Sequence, residues 1–320
     1  MAVYGAISTI DSVVLATSLA DYRSTMADNV YQSNSILQML SAAKEHVDGG
    51  LSIVQPVMVT KQDDGGFYLG ADVLNNTQKN FANQVEFLWQ NTYEPIQLTR
   101  DEERQNSGNE HKIIAIVGAK TMSSTKAISD RLEQGFSAPL ANANNLLDLQ
   151  TMCDTGTYGS LSGSTTTAWQ ATKTTSGAFA SQGLSDMTTA TYLVSANSTV
   201  DNPTHYVTTK AIFQKFEQTR LPLERINQGR ANEGSGTANA GFQNLVFKGK
   251  PVIYGNYISS GIMLGLNMNY IHLTVDSQTD LITTDFMSPI NQTVRVAYIL
   301  WRGQLWTDNR RRHFQLNSIT

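Results

Sequence analysis

The feature that most constrains this chain is a stretch of alternation, residues 51–98, that has little of its own to bury. Leu51, Ile53, Val57 and Val59 alternate with polar residues up to the turn-forming run Asp63-Asp64-Gly65-Gly66. A polar tip follows over 75–80, after which Val85, Phe87 and Trp89 restart the period and Tyr93, Ile96 and Leu98 extend it. The pattern predicts two long antiparallel limbs with little apolar material between them. A lone two-stranded hairpin is marginal in water, so this one needs a partner surface. Val85, Phe87 and Trp89 are the residues expected to anchor it there, and Lys61 lies in the connecting loop.

The rest of the chain reads as α+β. Residues 1–33 form an arm without a convincing period. A helix is expected next, with Ile36, Leu40, Ala43 and Val47 on one face and Gly49-Gly50 as its stop. Thr99-Arg100-Asp101-Glu102 has the form of a capping box and opens a short helix that stops near Asn106-Ser107-Gly108. The longest helical signal begins around Asn109. There Ile113, Val117, Lys120, Ser124, Ile128, Leu132 and Phe136 step by threes and fours until Pro139. This gives roughly 28 residues and about 42 Å, with one apolar stripe. Residues 155–183 are rich in Gly, Ser and Thr, with Trp169 and Phe179 as isolated anchors. A helix around Met187 to Val194, a strand at His205 to Val207 and a helix through Ala211 to Phe216 follow, then a polar loop over 226–240. The remainder is β, at 245–247, 252–254, 262–266 and 294–306. In the last stretch both faces carry apolar residues, as for a strand covered on both sides.

Composition narrows the function. Only 16% of the 320 residues are charged, below the roughly 25% of ordinary soluble domains. Neutral amides and hydroxyls make up the difference, and they are cheaper than charges to bury in large contacts. Net charge is −4, so no global basic field favours nucleic acid. A single cysteine, Cys153, allows no intrachain disulfide. The first residues lack a basic segment and make a poor signal peptide, and no apolar run reaches membrane-spanning length.

Catalytic chemistry finds no constellation. Asp154-Thr155-Gly156 spells the aspartic-protease triplet, but that reaction needs two such carboxylates and the chain has one copy. Cys153 reads as a buried thiol, and the five histidines are scattered without ligand spacing. No catalytic, cofactor-binding or metal residue is therefore assigned. Arg310-Arg311-Arg312 is the one basic run, a candidate for an intersubunit contact, for weak contact with DNA or for a solvated strand end.

Three groups of phrases carry a family likeness. The first is Phe87-Leu88-Trp89-Gln90-Asn91-Thr92-Tyr93 with Ile96-Gln97-Leu98-Thr99 and Asn106-Ser107-Gly108, leading into the long helix. The second runs from Pro203 to Phe216. The third is Gly241-Phe242, the run Leu245 to Val252, and Leu266-Asn267-Met268-Asn269-Tyr270. In their order and spacing these resemble the tailed-phage major capsid proteins, the Hong-Kong-97-like fold shared with encapsulins.

The resemblance implies an N-terminal arm over 1–50 and an extended β-hairpin loop over 51–105. It further implies a peripheral domain with a long spine helix over 106–140, an axial domain over 141–270 and C-terminal strands over 271–320 that return to the periphery. It implies a non-enzymatic shell protein that assembles with itself into hexamers and pentamers in the host cytoplasm and resides in the virion. A separate scaffolding protein and a portal are the expected partners; a cement or decoration protein is admitted, with double-stranded DNA enclosed through weak non-specific contact and no cofactor. Two rival readings stay open, an encapsulin-like compartment and a phage tail or other β-structural protein. The long helix argues against the second.

Overall fold

The computed structural model describes residues 34–61, 63–75, 77–105, 110–141, 146–195, 201–228, 245–290 and 293–320. The expected arm over 1–33, most of the polar loop over 226–240, and the phrases Asn106-Ser107-Gly108 and Gly241-Phe242 lie outside them. In chain order the elements begin with α1 (Ser35–Ser41), β1 (Lys44–Val47), β2 (Ser52–Met58), β3 (Ala82–Leu88) and β4 (Gln90–Thr99). Then come α2 (Arg100–Gln105), α3 (Glu110–Ser137), α4 (Leu149–Met152), β5 (Thr157–Tyr158), β6 (Leu161–Ser162) and β7 (Thr172–Thr175). They continue with α5 (Leu184–Val194), β8 (His205–Thr208), α6 (Lys210–Gln228), β9 (Val246–Phe247), β10 (Lys250–Tyr254) and β11 (Met263–Leu266). The chain closes with β12 (Ile271–Thr283), β13 (Val294–Thr307), a 3-10 turn at Arg310–Arg312 and β14 (Phe314–Asn317).

The described chain forms two compact units. One holds Asn91–Leu132 and Asp276–Arg302; the other holds Asn34–Gln90, Glu133–Val275 and Gly303–Thr320.

In the first unit β4 is the edge strand beside β13, which suits Pro95 in its middle, since an edge residue needs no ladder N–H. The capping box is made as its sequence predicts. The Thr99 N–H donates to Glu102 Oε2 at 2.9 Å, and the Glu102 N–H donates to Thr99 Oγ1 at 3.4 Å. Helix α3 spans 28 residues. Its stripe is not purely apolar. Lys120 Nζ donates to the Gln97 carbonyl (2.9 Å) and pairs with Glu102 (2.7 Å), and Ser124 Oγ donates to the Pro95 carbonyl. The polar members of the periodic set thus seat the helix on β4, while Ile128 and Leu132 are buried.

The second unit is built on a six-stranded sheet of order β7-β14-β11-β8-β10-β9. Strands β10 and β8 are parallel, as are β14 and β7, and β11 is antiparallel to both β8 and β14. Helices α5 and α6 cover it, joining Met187, Val194, Ile212 and Phe216 to Tyr206 and Phe314 in one core. Gly265 is required here, because a Cβ would lie 2.1 Å from the Phe314 ring. Trp169 and Phe179 anchor the Gly/Ser/Thr stretch, both buried.

Two expectations fail. The helix predicted to run to Gly49 ends at Ser41, and Lys44–Val47 is a strand. The Leu273 N–H donates to the Ala43 carbonyl, so pairing with β12 outweighs a weak helical period. The second limb is also not continuous. β3 pairs with β2 only from Ala82 to Leu88, and β4 joins another sheet.

Buried His313 gives the second unit a pH dependence. Its Nδ1 accepts the Asn267 N–H at 3.2 Å and its Nε2 meets Thr307 Oγ1 at 3.1 Å, while burial pushes its pKa down to about 3. The unfolded chain therefore binds a proton below about pH 6.5 that the folded chain refuses. Stability is unaffected above that pH and should fall by roughly 1.4 kcal/mol per pH unit from about 6 towards 3. His205, which burial also lowers, adds to the same slope. Urea midpoints at pH 7, 6 and 5 check this; a flat profile refutes it.

Candidate assembly surface

The β2–β3 hairpin is tied down at its root and bare at its tip. The register runs from Ser52 opposite Leu88 to Met58 opposite Ala82, which puts Ile53, Val57, Val85 and Phe87 on one face. That face is held by its own subunit. The Phe87 ring meets Tyr158 edge-on at 5.7 Å and Trp306 at 5.9 Å. The Ser160 N–H donates to the Glu86 carbonyl, Ser160 Oγ accepts the Glu86 N–H, and Gln304 Nε2 donates to the Leu88 carbonyl. Gly159, at φ +66°, is a glycine for two reasons: the turn is left-handed, and a Cβ would lie 2.7 Å from Val85.

Val85 and Phe87 are therefore core residues of the subunit, which corrects their expected role as anchors on a neighbour. Alternation along a strand identifies a face but not what covers it. Trp89 is half-buried at the end of the same strand. Phe87→Ala should cost the isolated subunit about 3–5 kcal/mol. A lowered thermal midpoint would show this; unchanged stability would return Phe87 to the intersubunit surface.

The uncovered apolar residues lie elsewhere. On the opposite face Val54, Met58 and Leu88 are exposed, as is Phe81 just before β3, and between the limbs so are Phe67, Tyr68, Leu69, Val73 and Leu74. Phe67 and Val73 are exposed almost completely. The tip keeps its form through local polar bonds, with Lys79 pairing with Asp64 at 2.7 Å and the Leu69 N–H donating to Asp72. The expectation of little apolar material between the limbs is thus wrong. The run Phe67-Tyr68-Leu69, bracketed by Gly66 and Gly70, was the signal in the sequence. Lys61 is exposed beside Asp63, 3.5 Å away.

The three arginines separate completely. Arg310 is fully buried, and its five N–H groups donate to five carbonyls: Nε to Met152, Nη1 to Gly156 and Trp169, Nη2 to Thr151 and Asp154, at 2.6–3.1 Å. It cannot serve as an intersubunit or DNA contact. Arg312 pairs with Asp201 at 3.0 Å and donates to the Val194 carbonyl. Arg311 alone is exposed. A 3-10 turn places successive side chains about 120° apart, so one basic run yields three environments.

The enzyme-like triplet is a turn organised around Arg310. The Asp154 carboxylate pairs with Lys173 at 2.9 Å, accepts the Thr155 N–H, and stays below the usual carboxylate range because these contacts outweigh burial. Burial pushes the Cys153 thiol up, so no thiolate is present near neutral pH. Among the described residues no group of three His, Cys, Asp or Glu could hold a metal ion, and no helix is long and apolar enough to cross a membrane.

No protein-family model and no curated protein matches the sequence. Solved structures do. The chain is similar to a subunit of the capsid asymmetric unit of cyanophage A-1(L), with a TM-score of 0.68, 16% identity and coverage of 94% of this chain and 97% of that one. It is similar to the capsid of a native GTA particle, with a TM-score of 0.62, 11% identity and complete coverage of both chains. It is also similar to the SrpI encapsulin of Synechococcus elongatus, with a TM-score of 0.56, 10% identity and coverage of 97% and 95%. This chain has the Hong-Kong-97-like capsid fold. The α+β architecture expected from the sequence is that fold. At the hairpin tip, 67–74, five large apolar residues are left exposed by their own chain.

Proposed function

We propose that this protein is a major capsid protein that assembles with itself into the icosahedral head shell of a tailed phage. The observation that carries the reading is the end-to-end likeness to shell subunits, which leaves no part of the described chain for another task. The bare apolar tip of the hairpin supports it, because such residues gain stability only against a neighbour. The reading is structural and not catalytic, and it places the protein in the virion after assembly in the host cytoplasm. Its partners are further copies arranged as hexamers and pentamers, a scaffolding protein and a portal, with a cement protein admitted. Residues 1–50 act as the arm, 51–105 as the extended loop, 106–140 as the peripheral domain, 141–270 as the axial domain and 271–320 as the returning strands.

The similar encapsulin keeps a second reading alive, a cellular compartment of the same fold. Expression with its neighbouring scaffold gene followed by negative-stain imaging tests the first statement. Closed shells or capsomers of six and five are expected, and a monomer at every concentration would overturn it. The contents decide between the two readings, since packaged double-stranded DNA supports the phage head and enclosed protein supports the compartment.

A further inference from the structure

Helices α5 and α6 cover one face of the six-stranded sheet and take Val252 of β10 into their core. Its neighbours in the strand, Pro251 and Ile253, point to the other face and are only half-buried. Helix α1 lies beside them and is firmly seated. Ile36 and Leu40 are fully buried, Ser35 Oγ donates to the Tyr254 carbonyl at 2.9 Å, and a Cβ on Gly255 would lie 2.3 Å from Ile36. A second side of α1 is open. Ser35, Gln38, Met39 and Ala42, spaced by threes and fours, form one helical face. That face borders a mostly apolar groove of about 650 Å³, which Ile253, Ile271 and His205 also line. The volume falls within the range of sites that bury most of a bound molecule.

The described chain begins at Asn34, one residue before this groove. Asn34 has φ −91° and ψ 72° and is not helical, so the residues before it leave the axis of α1. We propose that they turn back onto their own subunit and fill the groove with Val30 and Tyr31. Reach allows this. Tyr31 stands three residues before Asn34, about 10 Å of extended chain, and the seven residues of α1 are themselves about 10 Å long. The chemistry also fits. Val30 and Tyr31 form an apolar pair between the polar Asp28-Asn29 and Gln32-Ser33. An aromatic body suits the Met39, Ile253 and Ile271 walls, and a phenol hydroxyl suits a rim that carries Gln38 and His205. Because Asn34 is already fixed, closing so short a loop costs little entropy. A tethered segment also has a higher effective concentration at the groove than the same segment of a second copy.

The inference goes beyond the shell reading and does not depend on it, because the unassembled full-length subunit tests it. The double variant Tyr31→Cys with Ile253→Cys is oxidised with copper–phenanthroline at low protein concentration, and the product is mapped by peptide mass. Cys153 is fully buried and does not compete. An intrachain link between positions 31 and 253 is expected. The pair Tyr31→Cys with Tyr192→Cys, the latter on exposed α5 surface, should stay reduced. No link at 253, or equal linking of both pairs, overturns the proposal. A linked dimer without the intrachain product would assign the groove to a second copy's segment and overturns it too. Hydrogen exchange provides a readout that needs no cysteine. Tyr31→Ser should speed exchange of the 38–43 amides about tenfold, the lower end of what burying one large apolar side chain supplies, and Tyr22→Ser should leave it unchanged. An unchanged rate in Tyr31→Ser, or an equal rise in Tyr22→Ser, overturns the assignment of Tyr31 to the groove.

Discussion

Replacing residues 60–80 by a short Gly/Ser turn yields a soluble subunit of near-native helix content that no longer closes into shells. The cut lies between paired residues, because the Val59 N–H donates to the Phe81 carbonyl and β3 begins at Ala82. It therefore spares the β2–β3 ladder and the contacts of Phe87 with Tyr158 and Trp306. What it removes is Phe67, Tyr68, Leu69, Val73 and Leu74, each of which keeps more than half of its surface exposed. Each is worth about 1.5–3 kcal/mol if fully buried on a neighbour, and the loss recurs at every subunit of a shell. Circular dichroism and thermal melting should register little change, whereas sedimentation should show free subunits or small oligomers only. Normal shells from the shortened chain would exclude the tip as an intersubunit contact. Unfolding would mean that the loop supports the subunit itself.

Arg310→Met should be the most damaging single substitution. The guanidinium satisfies five carbonyls that gather the end of α4, the Asp154–Gly156 turn and Trp169 around one centre, with the Tyr158 ring 5.3 Å away. Methionine fills much of the volume but donates nothing. The Met152 and Trp169 carbonyls lose their donor, whereas those of Thr151, Asp154 and Gly156 keep a backbone N–H, from Asp154, Ala171 and Gly163; a buried acceptor left without a donor costs about 1–3 kcal/mol, less where water can reach it. A total loss of at least about 4 kcal/mol is expected, comparable to the whole stability of many domains. Arg310→Lys should recover only part of this, because three donors on one nitrogen cannot reach carbonyls arranged around a planar fork. Urea midpoints of the three proteins give the ranking. A small effect of both substitutions would mean that water replaces the guanidinium.

Much of the fold was legible in the sequence, for reasons that are local. Helix α3 follows from a 3.6-residue period sustained over seven turns or so and ended by Pro139, and the Thr99–Glu102 box needs only residues three apart. The alternation of β2 and β3 fixes which side chains share a face, because the strand period is two. What lies against that face is set by residues distant in sequence. Phe87 meets Tyr158 and Trp306, which no local pattern connects to it, so alternation alone cannot tell an inward face from an intersubunit one. Val47 likewise fits a helical period in the sequence and lies in a strand, since the partner of β1 is β12, more than two hundred residues on. Arg310, Arg311 and Arg312 are identical in the sequence and differ only in what the 3-10 turn aims each one at. His272 lies between Glu45 of β1 and Asp308 just past β13 for the same reason. Local periodicity therefore determined the elements and their faces, whereas the partners of those faces, and with them every charged cluster described above, were decided only when tertiary packing removed specific side chains from water.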